Sequence, residues 1–156
     1  MMTYNEAPGP TMDATEFWKL FGDYEREDTD CQFSDLSGQT IVNIQGDKGD
    51  EFAVLTLADG RQMGMAHIQD CCESVTLESI RGDIEMVVGH EIEYAAETSG
   101  SAEPALSFLD DSHTWTYYYI RTEGGSIVIR WYGTSNRYYS ENVYCRWLTT
   151  NAQKGE

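Results

Sequence analysis

Hydrophobic positions change period near residue 40. Between residues 13 and 24 they recur at helical spacing, as Phe17, Trp18, Leu20, Phe21 and Tyr24. Asp13, with Glu16 three residues later, has the form of a capping box at the start of this segment. The stripe predicts a short amphipathic helix that docks on its own domain, the favoured reading, or on a partner. Residues 23–35 carry Asp23, Glu25, Glu27, Asp28, Asp30 and Asp35. They read as a solvated linker, because like charges repel and extend the chain.

From residue 40 the pattern is that of strands. Residues 40–44 are β-rich, and 52–57 are nearly all apolar, which suits a central strand buried on both faces. Asp59-Gly60 marks a hairpin turn before a return over 62–67. Residues 74–80 read as another strand. Residues 82–89 read as a short helix that Asp83 can cap and Gly89 can stop. Residues 91–97 alternate, which places Ile92, Tyr94 and Ala96 toward the core and Glu91, Glu93 and Glu97 outward together. A long loop over 98–113 precedes a final three-strand meander over 114–122, 126–132 and 138–148. The pattern predicts an α+β fold: a mainly antiparallel, bent sheet or open barrel with one short inserted helix and an N-terminal helix. Residues 1–35 form a leader, helix and acidic linker, 36–150 a single domain, and 151–156 a tail.

Charge narrows the partners. The 156 residues hold 27 acids and ten bases, a net of −17. Residues 1–111 carry −19 and residues 112–156 carry +2. Such a chain repels nucleic acid and anionic lipid, and suits a basic protein partner or mimicry of nucleic acid. A small cationic site near Arg121, Arg130, Arg137 and Arg146 stays open. No apolar run approaches a membrane span or a signal peptide. Cys31, Cys71, Cys72 and Cys145 therefore read as free thiols in a reducing cytosol.

Two segments stand out. One is Ile68-Gln69-Asp70-Cys71-Cys72-Glu73-Ser74-Val75, followed by Glu78-Ser79-Ile80-Arg81-Gly82-Asp83. The other is Arg130-Trp131-Tyr132-Gly133-Thr134-Ser135-Asn136-Arg137-Tyr138-Tyr139-Ser140-Glu141. Together they resemble a family of small uncharacterised proteins common in bacteriophages and prophages. That family shows a His-x-Gln-Asp-Cys-Cys-Glu stretch and a Trp-Tyr-Gly-x-Ser-Asn-Gly-Tyr-Tyr-Ser stretch. The likeness covers residues 40–148. It implies a phage or mobile-element origin and brings no assigned activity. This chain departs from the pattern at Arg137, where the family has Gly. A turn that needs positive φ there would strain an arginine.

Three constellations carry candidate chemistry. His67, Asp70, Cys71, Cys72 and Glu73 hold zinc-type ligands, but a second ligand pair is missing, so buried cysteines at a tight bend are favoured over a metal. Cys72 with His67 or His90 has nucleophile and base, yet Asp70 and Glu73 would raise the thiol pKa, the wrong direction for a nucleophile. Asp70 and Glu73 as an acid/base pair are weighed against turn capping, in which Asp70 would bond backbone N–H groups ahead of the next strand. The aromatic strands offer Trp115, Tyr117, Tyr118, Tyr119, Trp131, Tyr132, Tyr138, Tyr139, Tyr144 and Trp147, with one face in the core and the other covered or open.

The leading expectation is a non-enzymatic phage-type accessory protein in the host cytoplasm. It would bind a basic host protein through an acidic surface that includes Glu91, Glu93 and Glu97, with no cofactor, metal, membrane or direct nucleic-acid contact. The alternative is a binder or hydrolase of small molecules or nucleotides, with a pocket from His67, Asp70, Cys72, Glu73, Trp131, Tyr138 and Tyr139. A third reading is a minor virion component.

Overall fold

A computed structural model describes residues 11–148; the first ten residues of the leader expected over 1–12, and the tail over 151–156, lie outside them. Asp13 caps helix α1 (Ala14–Phe21) by accepting the Glu16 N–H at 2.8 Å. Strands β1 (Ile41–Gln45), β2 (Phe52–Leu57), β3 (Gln62–Ala66) and β4 (Ser74–Gly82) follow. Then come the single-turn helix α2 (Ile84–Val87), β5 (Ile92–Gly100), β6 (Ser112–Thr122), β7 (Ser126–Ser135) and β8 (Tyr144–Trp147). The α+β, mainly antiparallel class read from the pattern is the observed one. The strands form two four-stranded sheets, β1-β2-β3-β8 and β4-β7-β6-β5, and every pairing between them is antiparallel. They do not close into a barrel.

The inner faces share one core. Ile41, Ile44, Leu55 and Met63 of the first sheet meet Leu77, Ile80, Tyr118, Ile129 and Trp131 of the second. The expectation for β2 holds on both sides. Ala53, Leu55 and Leu57 face this core, while Phe52 and Val54 face outward under α1. Phe17 stacks on Phe52 with centroids 4.2 Å apart, and Phe17 and Phe21 are fully buried. Gly64 makes that seat: a Cβ there would stand 2.9 Å from the Phe17 ring. The helix therefore docks on its own domain.

Two expectations need correction. The acidic stretch over 23–35 is not an extended, solvated linker. It folds into 3₁₀ turns at Glu27–Thr29 and Phe33–Leu36, with Phe33 and Leu36 in the core and Asp30 bridged to Arg146. Two apolar anchors and one ion pair outweigh the mutual repulsion of its carboxylates. The final meander is also broken. β6 and β7 pair as expected, but β8 leaves for the first sheet and pairs with β3. Buried Glu141 turns the chain there, accepting Thr114 Oγ1 at 2.6 Å and Ser135 Oγ at 2.5 Å. A polar anchor of this kind leaves no trace in hydrophobic periodicity.

The turn after β7 contains Arg137 at φ 73, the one described residue other than glycine with positive φ. Its Nε donates to the Asp111 carbonyl at 2.9 Å. Arg137→Gly should still raise stability by about 1 kcal/mol, because left-handed backbone costs an L-residue more than this exposed bond returns. A thermal melt reads the result, and a lowered midpoint would mean the hydrogen bond outweighs the strain.

Candidate functional site

The bend between β3 and β4 is tied by a buried carboxylate. Glu73 Oε1 accepts the Cys71 N–H at 2.8 Å, and Oε2 accepts the Asp70 N–H at 3.1 Å and faces His67 Nε2 at 2.9 Å. His67 Nδ1 lies 2.6 Å from the Asn142 carbonyl. Both ring nitrogens of His67 thus face buried acceptors, which fixes the ring across the bend. Burial alone would raise the Glu73 carboxyl, but the Cys71 N–H, His67 and the Asp70 N–H hold it down at about 2. Gln69 Nε2 closes the loop on the Cys71 and Glu73 carbonyls at 3.1 and 2.7 Å. Asp70 accepts the Tyr24 hydroxyl at 3.0 Å.

The structure brings His67 and Glu73 together in this way, on a cavity of about 170 Å³ that Trp18 and Glu51 also line. Of the other expected pocket residues, Asp70 and Cys72 belong to the same bend and the three aromatic ones stand elsewhere. Trp131 is fully buried in the shared core, Tyr138 is exposed, and Tyr139 packs edge-on against Tyr138. Cys72 is exposed and joined to Cys71 by a disulfide, which corrects the expectation of four free thiols. Cys31 and Cys145 are free; burial pushes the Cys31 thiol up to about 12 and Cys145 well above its ordinary value. Among the described residues, no three His, Cys, Asp or Glu gather as a metal site.

The alternation expected over 91–97 fails at a bulge. Pairing with β6 shifts between Ile92 and Tyr94, so one extra residue turns the next side chains to the opposite face. Ile92 and Ala95 face the core, whereas Tyr94 is half-exposed on the outer face. Glu91, Glu93 and Glu97 are all exposed but do not form one row. Glu93 lies 3.8 Å from Arg121, and Glu97 sits on the inner side near Tyr118, its carboxyl raised by desolvation.

The outer face of the second sheet is only partly covered. Cross-strand partners set its rows. One runs Thr76, Tyr132, Trp115, Gly100, and the next Ser79, Arg130, Tyr117, Thr98. The third runs Arg81, Val128, Tyr119, Ala96, and the last Ser126, Arg121, Tyr94. The segment over 101–111 roofs the first two rows. Trp115 Nε1 donates to the Pro104 carbonyl at 3.1 Å, and the Tyr132 hydroxyl donates to Asp110 at 2.5 Å and accepts the Leu106 N–H at 2.9 Å. Glu103 accepts from Arg130 Nη2 at 2.6 Å and from the Tyr117 hydroxyl. Those hydrogen bonds and the nearby guanidinium lower the Glu103 carboxyl. The third and fourth rows remain open, over a groove of about 480 Å³.

Of the four arginines held open as a cationic site, Arg130 and Arg146 are buried ion-pair partners and Arg137 supports the turn after β7. Arg121 alone faces the open groove, with Arg81 across from it. Sequence reasoning missed Arg81 and Tyr94 here. Its usable signal was β6 itself, where Trp115, Tyr117, Tyr119 and Arg121 alternate with Thr116, Tyr118 and Ile120. The roof turns its apolar tip away from the sheet: Phe108 is 95 % and Leu109 76 % exposed, beside exposed Asp111. Among the described residues, no helix is long and apolar enough to cross a membrane.

Residues 34–145 match the family model of a domain of unknown function, DUF7448. No curated protein and no solved structure matches the chain.

Proposed function

We propose, for a chain that belongs to the DUF7448 domain family, a non-enzymatic accessory role: docking a basic protein partner. The observation that carries the proposal is the tip of the roof segment. A hydrogen-bonded loop holds Phe108 and Leu109 in water beside Asp111, on a chain of net charge −17. A large apolar side chain held out by a pinned loop suits an interface anchor, and the surrounding acids suit steering toward cationic surface. The residues most capable of chemistry point the same way. His67 and Glu73 spend their polar atoms on the bend, and Cys71 is bonded to Cys72. A phage or mobile-element origin, and action in the host cytoplasm on a host protein, belong to the same proposal and rest on the two sequence motifs. Glu91, Glu93 and Glu97 would contribute field rather than a single contact row.

Capture from a bacterial lysate supplies the partner, and purified components then test the epitope. Phe108→Ala should leave the melting temperature within about 1 °C, since an exposed side chain contributes little to folding. It should weaken binding about tenfold or more, mainly through faster dissociation. Changing Glu91, Glu93 and Glu97 together to Lys should slow association and flatten its dependence on salt. A partner whose affinity ignores both changes would defeat the proposal. A partner that proves to be a particle protein would place the chain in the virion.

A further inference from the structure

We propose a second, separate site on the open half of the outer sheet face: a pocket for a small nucleotide, meaning a planar aromatic ring carrying a phosphate. The inference does not depend on protein docking. It begins with sheet register. Arg81, Val128 and Tyr119 stand side by side on three adjacent strands, and Arg121 and Tyr94 stand side by side one row further on. Neighbouring strands lie about 4.8 Å apart, so Arg81 stands about 10 Å across from Tyr119 with the smaller Val128 between them. The dip over Val128 is the groove, and its volume of about 480 Å³ falls within the usual range for small-molecule sites.

Its chemistry is specific. Tyr119 and Tyr94 are 41 % and 49 % exposed, although aromatic rings on a sheet face ordinarily find cover. They offer π surface to a base. Arg121 stands over the Tyr94 ring at 5.4 Å, and its ion pair with Glu93 is long and exposed. Arg81 forms no ion pair among the described residues. Two guanidiniums on opposite walls of one groove are out of character for a chain with ten bases against 27 acids. Guanidinium groups recognise phosphate oxygens in bidentate fashion. The roof segment explains why the groove stops where it does: Glu103 pairs with Arg130 in the next row and its charge also reaches Arg81, while Arg81 and Arg121 line the open groove. A nucleic-acid strand is disfavoured by the repulsion of a net −17 body acting on many phosphates, whereas one ligand with one phosphate meets the local field alone.

The test is equilibrium binding to the full chain by calorimetry, with AMP, GMP, CMP and UMP, and with adenosine and ribose 5-phosphate as half-ligands. At least one monophosphate should bind saturably with 1:1 stoichiometry. Adenosine and ribose 5-phosphate should each bind at least about tenfold more weakly than the best monophosphate, because each keeps one of the two contacts. Tyr119→Ala and Arg81→Gln should each weaken that binding about tenfold with unchanged melting temperatures, while Arg61→Gln, in the turn between β2 and β3 of the other sheet, should leave it unchanged. No saturable binding of any monophosphate overturns the proposal. So does ribose 5-phosphate binding as tightly as the best nucleotide, which would mean a phosphate site without a base. Loss in Arg61→Gln equal to that in Arg81→Gln would mean diffuse anion attraction and would also overturn it.

Discussion

Glu73→Gln should lower the melting temperature near neutral pH by about 10–20 °C. That range corresponds to a loss of about 3–5 kcal/mol for disrupting several buried hydrogen bonds to one carboxylate. Glutamine nearly matches the shape of glutamate, so the loss is not one of packing. Its amide cannot accept from the Cys71 N–H, the Asp70 N–H and His67 together, as the two carboxylate oxygens do. His67 would face a weaker partner inside the fold, its other nitrogen still beside the Asn142 carbonyl. The dependence on pH separates this from a general loosening. The folded carboxyl sits at about 2, below its ordinary 4.5, so on acidification the unfolded chain takes up the proton first. The stability it contributes is complete above about pH 4.5 and declines as pH falls toward 2. Thermal melts of wild type and variant should therefore converge as pH drops through that window. A gap below about 3 °C at neutral pH, or one that stays constant down to pH 3, would remove Glu73 from this role. Should Glu73→Gln fail to fold, His67→Gln reports on the same pair with its carboxylate left in place.

What the sequence shows of this fold is what periodicity can carry. β2 is legible because both its faces meet apolar layers, and α1 because Phe17 and Phe21 recur at a helical interval beneath a capping aspartate. β5 misleads for a physical reason. Side-chain direction in a strand has period two only while the register is kept, and one bulge residue between Ile92 and Tyr94 reverses every later assignment. Glu91, Glu93 and Glu97 look like one outward row on paper and are three separate positions in space.

The sites are less legible than the strands because they depend on which strands become neighbours. Arg81 and Tyr119 are 38 positions apart and share a surface only because β7 lies between β4 and β6. The aromatic run of β6 says that one face is rich in rings, but not that residues 101–111 fold back over half of it. The motif over 69–73 attracts attention by its metal-like composition. The structure gives the Glu73 carboxylate to backbone N–H groups, while Asp70, the acid expected to cap the turn, accepts the Tyr24 hydroxyl instead.

Arg146 shows how far a cation's role can lie from its first reading. On β8 it belongs to the basic C-terminal third of the chain, yet it is 2 % exposed. Its Nη1 donates to the Phe21 carbonyl at 2.9 Å and the Asp23 carbonyl at 2.7 Å, and its Nε donates to Asp30 at 2.7 Å. The guanidinium also lies 5.1 Å from the Phe21 ring centroid. These contacts join the end of α1 and the acidic stretch behind it to the first sheet. Arg146→Met keeps much of the volume and removes every donor. Asp30 is half-exposed and can turn to water, so its loss costs little. The Phe21 carbonyl has no such escape, whereas the Asp23 carbonyl lies in a part-buried bond on an exposed residue. A buried acceptor left unsatisfied costs about 1–3 kcal/mol, and that is the expected loss. Lysine should fall between, because one ammonium on a single stem cannot serve three acceptors spread around a planar fork. Limited proteolysis adds a readout that global melting lacks: the variants should be cut within residues 22–32 at times when the wild-type chain is intact there. Apolar replacement of a buried cation can be neutral when its partners are satisfied elsewhere. Equal stability and equal protease resistance in Arg146→Met would mean that Phe17, Phe21 and Phe33 hold this segment without the guanidinium.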